Sequence, residues 1–278
     1  MRPRTALPLA TLLLAACGGS HSDAPKAPGL TSSSAAAVAS SVVSVESTAQ
    51  ASPSGLPMWV PLDKTGDGGT AYGMQTPFSL PACTTITTTG PDAQGYTHQT
   101  WTFTNCMEGD ETLNGSIEVV WKQYDYQITF NHLVKSEDGG QEVLTVDGTR
   151  HVVIDPVAKQ ATLTVTGFSI THTEADEPSE NRSFTYSAAY TSDWATAGQF
   201  KLWGTFTLQT NADPTLTGTI AQGTALTWTV GCCKPTSGTL SLAQNGKTAD
   251  ILFGLPCGTV TITVSGQPSV TKRLRGCH

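Results

Sequence analysis

Leu113-Asn114-Gly115-Ser116-Ile117-Glu118-Val119-Val120-Trp121 decides the fold class. Leu113, Gly115, Ile117, Val119 and Trp121 share one side of an extended chain, and Asn114, Ser116 and Glu118 take the other. A period of two is that of a strand in a sheet with one buried face. Working outward, the same period runs through Trp101 and Phe103; Tyr126, Ile128 and Phe130; and Phe184, Tyr186, Ala188 and Tyr190. It continues through Phe200, Leu202, Phe206 and Leu208, then Leu226, Trp228 and Val230, then Val260, Ile262 and Val264. Turn-forming clusters separate these runs: Glu108-Gly109-Asp110, Asp138-Gly139-Gly140, Glu174 to Asn181, Asn211 to Pro214 and Asn245-Gly246. Amphipathic helical periods are missing between them, so crossover units are not expected. The pattern predicts an all-β antiparallel meander forming a curved sheet, a sandwich or an open barrel.

Local signals refine this. Asn245-Gly246, between Leu240/Leu242 and Ile251/Phe253, predicts a hairpin with a type I′ turn, because both residues tolerate positive φ. Ala161, Leu163 and Val165 are odd, whereas Phe168 and Ile170 are even. A β-bulge or sharp bend at Gly167 would keep both halves facing the core. An aromatic strand followed by a Leu/Val-x-Gly strand recurs: Phe103 with Leu113-Asn114-Gly115, Phe130 with Val146-Asp147-Gly148, Phe206 with Leu216-Thr217-Gly218. The irregular spacing points to repeated hairpins in one sheet system, not a solenoid.

Charged residues make up 13% and hydrophobic ones 38% of the 278 residues; Thr, Ser and Gly fill the gap, as in secreted β-proteins. The net charge is −7 for the chain and −8 from residue 56 onward. That balance excludes nucleic acid or an anionic membrane surface as partner, since either needs a basic footprint, which Arg273 and Arg275 do not make.

At the start, Arg2 and Arg4 precede an apolar run from Ala6 to Ala16 that is too short to span a bilayer. It ends in Leu14-Ala15-Ala16-Cys17, followed by Gly18-Gly19-Ser20, which resembles the lipobox of bacterial lipoproteins. The resemblance covers about 20 residues and implies a signal peptide over 1–16, cleavage before Cys17, and a diacylglycerol on the Cys17 thiol. Acylation of the freed amine would add a further chain and hold the protein stably on a membrane. Gly18 stands where Asp resembles an inner-membrane retention signal, which favours the outer membrane in a Gram-negative host. The expected location is the cell envelope, periplasmic or surface-facing. Residues 17–55 are rich in Ser, Ala and Pro and are expected to form a disordered tether with a coil reach of about 34 Å. A transient helix over Ala35 to Val45 is compatible with the composition, but no packing face accompanies it. Residues 56–278 form the expected β-domain, which beyond the lipobox resembles the Thr/Gly-rich β-domains of bacterial lipoproteins. That resemblance implies no activity.

Seven cysteines leave six once Cys17 is set aside. On an exported chain an even set reads as three disulfides. Cys83 and Cys106 end adjacent strands and are expected to pair. Adjacent Cys232 and Cys233 project to opposite faces of an extended chain, so each bonds elsewhere. The pairing chosen is Cys233 with Cys257 and Cys232 with Cys277, the reverse staying open; either clamps the region of about 231–278.

Catalytic signatures are absent from the sequence: no Gly-x-Ser-x-Gly elbow, no His-Glu-x-x-His and no phosphate-binding Gly-rich loop ahead of a helix. Glu118 and Asp125 fall on the outward register rather than facing each other across a cleft, as paired glycosidase carboxylates must. Glu174, Asp176, Glu177 and Glu180 read as a solvated loop rather than a calcium site. Asp63-x-Thr65-x-Asp67-Gly68 starts like a calcium loop but has Met74 where the twelfth-position acid belongs. His132 and His172 continue inward registers after Phe130 and Ile170 and read as hydrogen-bonded residues at the core rim; a shared metal or catalytic role is the lesser reading. Cys232-Cys233 as a redox or metal pair is disfavoured by the oxidising compartment. The Thr-rich outer face, Thr84 to Thr89 with Thr100, Thr102 and Thr104, is what solvent-side strands ordinarily carry. No catalytic residue, metal or cofactor is therefore assigned. The expected function is that of a non-enzymatic envelope module, structural or binding, with an envelope protein, glycan or lipid as partner. The alternatives are a lipid or lipoprotein carrier enclosed by a curved sheet, which only the one-sided sheet pattern resembles, and a hydrolase acting on glycan or peptide.

Overall fold

A computed structural model describes residues 30–47, 83–108, 111–137, 139–175, 181–211 and 213–274. These residues include a helix, α1 (Ser32–Ser47), followed by strands β1 (Thr84–Thr89), β2 (Thr97–Glu108), β3 (Glu111–Lys122), β4 (Asp125–Glu137), β5 (Glu142–Asp155), β6 (Gln160–Glu174), β7 (Arg182–Asp193) and β8 (Gln199–Thr210). Shorter strands complete it: β9 (Leu216–Ile220), β10 (Leu226–Thr229), β11 (Gly238–Gln244), β12 (Lys247–Gly254), β13 (Thr259–Val264) and β14 (Val270–Arg273). All pair antiparallel in one sheet of order β1 to β9, then β11 to β14, with β10 beside β8. β9 and β10 share the same edge of β8: Gly204 pairs with Ile220, and Leu202 with Leu226. They are two halves of one strand position interrupted by a 3₁₀ turn at Gln222–Thr224. The result is an up-and-down meander, and of the three expected forms it is the curved, non-closed sheet.

One line of backbone irregularities crosses the sheet. The ladder slips between Phe103 and Cys106, between Phe130 and Leu133, and between Val165 and Phe168, with positive φ at Asn105 (48°), His132 (49°) and Gly167 (58°). Each slip is a bulge that turns an even register odd or the reverse, so both halves of β2, β4 and β6 keep apolar residues on one face. The expected bend at Gly167 is therefore one of a set. The intervening strands supply the matching parts. Asn114 Oδ1 accepts the Asn105 N–H at 2.8 Å, and Asp147 Oδ1 accepts the His132 N–H at 2.6 Å. Gly115 and Gly148 follow, where a Cβ would stand 2.2 Å from the His132 carbonyl oxygen and 2.3 Å from the Phe168 Cα. This is the physical content of the Leu/Val-x-Gly recurrence at its first two occurrences. In the third, Gly218 instead makes room for the Phe206 ring.

The core thickens toward the C-terminus. Leu226, Leu240, Ala249, Ile251, Val260 and Ile262 are fully buried, and Trp228 nearly so, its ring packing edge-on against Phe200 at 5.5 Å. Asn245 (φ 48°) and Gly246 (φ 74°) make the expected turn, with Gln244 opposite Lys247 and Leu242 opposite Ala249. Val230 departs from expectation: it is 87% exposed, because the chain leaves the sheet after Thr229.

The tether also departs from expectation within residues 30–47. α1 packs on β12 and β13, burying Leu30, Ala35 and Ala39. Its start is held by a reciprocal pair, the Ser34 N–H donating to Thr31 Oγ1 and the Thr31 N–H to Ser34 Oγ. The packing face is built of small alanines, which let the helix approach the sheet closely; an alanine run gives no amphipathic signal in sequence. Cys17 and the proposed leader lie outside the described residues.

Cys83 and Cys106 are disulfide-bonded as expected, with Cα atoms 5.2 Å apart. In the C-terminal clamp the chosen pairing is corrected: Cys232, not Cys233, bonds Cys257, with Cα atoms 5.8 Å apart. Cys232 lies buried beyond the end of β10, beside the turn that carries Cys257. Cys233 is itself disulfide-bonded, and Cys277 lies outside the described residues.

Candidate functional site: carboxylate-held histidines on the outer face

The bulges keep most apolar side chains on one face and leave the other mainly to Thr, Ser, Gln and charged groups, with a few exceptions such as Val120 and Val153. Near the β1–β2 turn, four residues of that outer face stand in one cross-strand row: His98 pairs with Val120, Val120 with Gln127, and Gln127 with His151. Both histidines are fixed by acids. His98 Nε2 lies 3.1 Å from Asp92 Oδ2, and its Nδ1 lies 3.6 Å from Glu118 Oε1. His151 Nε2 lies 2.6 Å from Asp125 Oδ1, whose other oxygen accepts the Tyr96 hydroxyl at 2.9 Å. Lys122 closes the group, donating to the Gln94 carbonyl at 2.6 Å and standing 5.6 Å over the Tyr96 ring.

The turn organises the acids. Asp92 accepts the N–H groups of Tyr96 at 2.8 Å and Gln94 at 2.9 Å, which orients its carboxylate toward His98. The Tyr96 N–H, and then His98, hold the Asp92 carboxyl below its ordinary range. Asp92, helped by Glu118, raises the His98 imidazole above its ordinary value against the opposing effect of burial. The Asp125 carboxylate raises the Tyr96 phenol, keeping it a hydroxyl donor. His98 and His151 are 33% and 41% exposed in their side chains, so a partner lying on this face reaches them. Rings held in fixed orientation on rigid strands suit directional hydrogen bonding to a polar ligand.

A second polar group sits at the opposite strand ends, on the core face. Lys135 bonds Glu137 and, at 2.9 Å, Glu111; His172 bonds Glu142 at 2.9 Å. Burial lowers the Lys135 ammonium, but Glu137 and Glu111 outweigh it and the net direction is upward.

The residues singled out in sequence fall as follows. Glu118 and Asp125 are outward as expected, but each holds a histidine. His132 is corrected: its bulge gives the inward place to Leu133, leaving the imidazole 76% exposed beside Asp147. His172 does face inward and its partners are Glu142 and Glu174, so the two histidines form no joint site. Glu174 belongs to β6, while Asp176, Glu177, Glu180, Asp63, Thr65, Asp67, Gly68 and Met74 lie outside the described residues. Among the described residues no three His, Cys, Asp or Glu side chains converge as metal ligands. Sequence reasoning missed Asp92, Tyr96, His98 and His151. The outward register of the two histidines was readable from Trp101 and from Val152, whereas Asp92 reaches His98 from the β1–β2 turn and Asp125 reaches His151 from the start of β4.

Fold and site together define an open antiparallel β-meander with a polar, histidine-bearing outer face. No protein-family profile, curated protein or solved structure matches the chain. No helix among the described residues is long and apolar enough to cross a membrane.

Proposed function

We propose that this is a lipid-anchored module of the cell envelope that binds a polar partner on its outer face without transforming it. The observation that carries the binding reading is the His98–Val120–Gln127–His151 row, in which both rings are fixed by carboxylates and remain accessible. Anchoring rests on Leu14-Ala15-Ala16-Cys17. The outer membrane is the proposed site in a Gram-negative host. Wall glycan is the first probe, since its hydroxyl and amide groups match directional donors and acceptors on an open sheet face.

The test has two arms. Cys17→Ser should move the protein from the membrane to the soluble fraction, and retention on the membrane refutes the anchor. Mature protein should co-sediment with purified cell-wall sacculi, and the His98→Ala/His151→Ala double variant should not; equal sedimentation of both refutes the site.

A second reading, a lipid or lipoprotein carrier, draws on the half-buried Leu113, Ile117, Ile128, Leu133 and Val146 on the core face of β3 to β5. Uptake of a fluorescent fatty acid that is lost in Ile128→Asp would favour it over wall binding.

A further inference from the structure

An open sheet has two edges, and here they differ. At one, β14 spans only Val270–Arg273 and carries Lys272 and Arg273. A short, charged edge resists pairing with another strand. At the other, β1 is Thr-Thr-Ile-Thr-Thr-Thr, uncharged, free of proline, and exposed along nearly its whole length. Among the described residues no strand pairs with its outer edge. Nothing in β1 discourages strand addition.

The ladder shows which backbone groups face outward. The Cys83 carbonyl accepts from the Thr104 N–H, its opposite residue on β2. Narrow and wide pairs alternate in an antiparallel ladder, so Thr85, Thr87 and Thr89 also turn their backbone groups toward β2. Thr84, Ile86 and Thr88 then present theirs to the free edge.

We infer that β1 is a self-association edge at which a second copy of this chain adds antiparallel, making one sheet continuous across two molecules. The register that uses every outward group pairs Thr84 with Thr88 of the second copy and Ile86 with Ile86 of the second copy. Ile86 is the one apolar residue of the strand, 45% exposed and opposite the buried Trp101. On the two-fold axis its free flank is covered by its own counterpart. The intervening threonines face threonines, a favourable cross-strand pair. On a chain of net charge −7, self-pairing sets identical residues near one another, and β1 brings no charge to oppose its copy. Because β14 is blocked, the association closes as a two-fold pair; β1 on β14 would run on as a filament.

The experiment uses the full mature chain. Ile86→Cys under mild oxidation should give a covalent dimer, since opposed residues of a hydrogen-bonded pair lie about 5.5 Å apart, within disulfide reach. Val157→Cys, in an exposed turn, measures random collision. Ile86→Lys places ammonium against ammonium on the axis and should abolish the concentration-dependent dimer in sedimentation velocity. Mixing Ile86→Lys with Ile86→Glu chains should restore it as a heterodimer. Cross-linking of Ile86→Cys no greater than that of Val157→Cys overturns the inference, as does a mixture that stays monomeric.

Discussion

Gly148→Ala tests the bulge line where β5 crosses β6. Gly148 has φ +125°, a region that side chains rarely occupy, and a Cβ there would lie 2.3 Å from the Phe168 Cα and 2.8 Å from the Gly167 carbonyl oxygen. The backbone penalty is about 1–3 kcal/mol. Overlap with a neighbouring backbone adds a further cost of about 1–3 kcal/mol. Gly148→Ala should therefore cost about 4 kcal/mol. Gly167 lies across the same crossing with φ +58°, and a Cβ there meets nothing within 4 Å. Gly167→Ala carries only the left-handed penalty, about 1 kcal/mol. Urea unfolding with the disulfides intact, followed by tryptophan fluorescence, measures both as shifts in midpoint at constant slope. Equal costs for the two substitutions would refute the close crossing of β5 and β6. Should Gly148→Ala not accumulate, Gly115→Ala, with its Cβ 2.2 Å from the His132 oxygen, tests the same reasoning one crossing away.

Three further outcomes are expected. Asp92→Asn should lower the His98 pKa, read by NMR titration of the imidazole. Because the folded value is raised, the His98 contribution to stability is complete below about pH 6.5 and fades as pH rises through the folded value. Asp92, held low, loses its contribution as pH falls through its own folded value. An unchanged His98 titration in Asp92→Asn refutes the pairing. The Cys232–Cys257 bond spans 25 residues, so replacing both cysteines by serine should cost about 3 kcal/mol on the chain-entropy estimate, with an unshifted urea midpoint as the contrary result. Lys234 is 1% exposed, and burial lowers the pKa of its ammonium. The unfolded chain thus holds that proton more tightly, and stability climbs with pH between the lowered value and 10.5. Lys234→Met should raise stability at pH 7 by about 1 kcal/mol and flatten that climb. A drop at pH 7 contradicts the reasoning.

The period of two made the fold class legible, because every strand but the edge strands β1 and β14 has one apolar face and a sheet exposes that alternation directly in sequence. Gly167 betrayed its bulge, since two apolar runs of opposite parity flank it. The equivalent bulges at Asn105 and His132 were hidden because polar residues occupy the extra position, and His132 could be misread as inward. The Cys232–Cys257 choice turned on parity carried past the end of β10, where Val230 already breaks it. Packing of α1 was unreadable for a different reason: Ala35 and Ala39 bury so little area each that composition makes the segment look unable to fold. At the outer face the histidines followed from register, while their acids come from Asp92 in a turn and Asp125 at a strand start, positions fixed by backbone geometry that side-chain alternation does not encode.

Docking of α1 onto β12 and β13 shortens the leash. Were the whole of 17–55 spacer, the domain could roam well over 100 Å from an acylated Cys17, taking about 3.4 Å per residue at full stretch. With Leu30 seated in the core, only 13 steps of chain separate it from Cys17, and none of that length spans more than about 45 Å. If the proposed acyl anchor is in place, the protein is moored close to its bilayer with the α1 side of the sheet nearest the mooring, and anything it meets is met within that narrow zone.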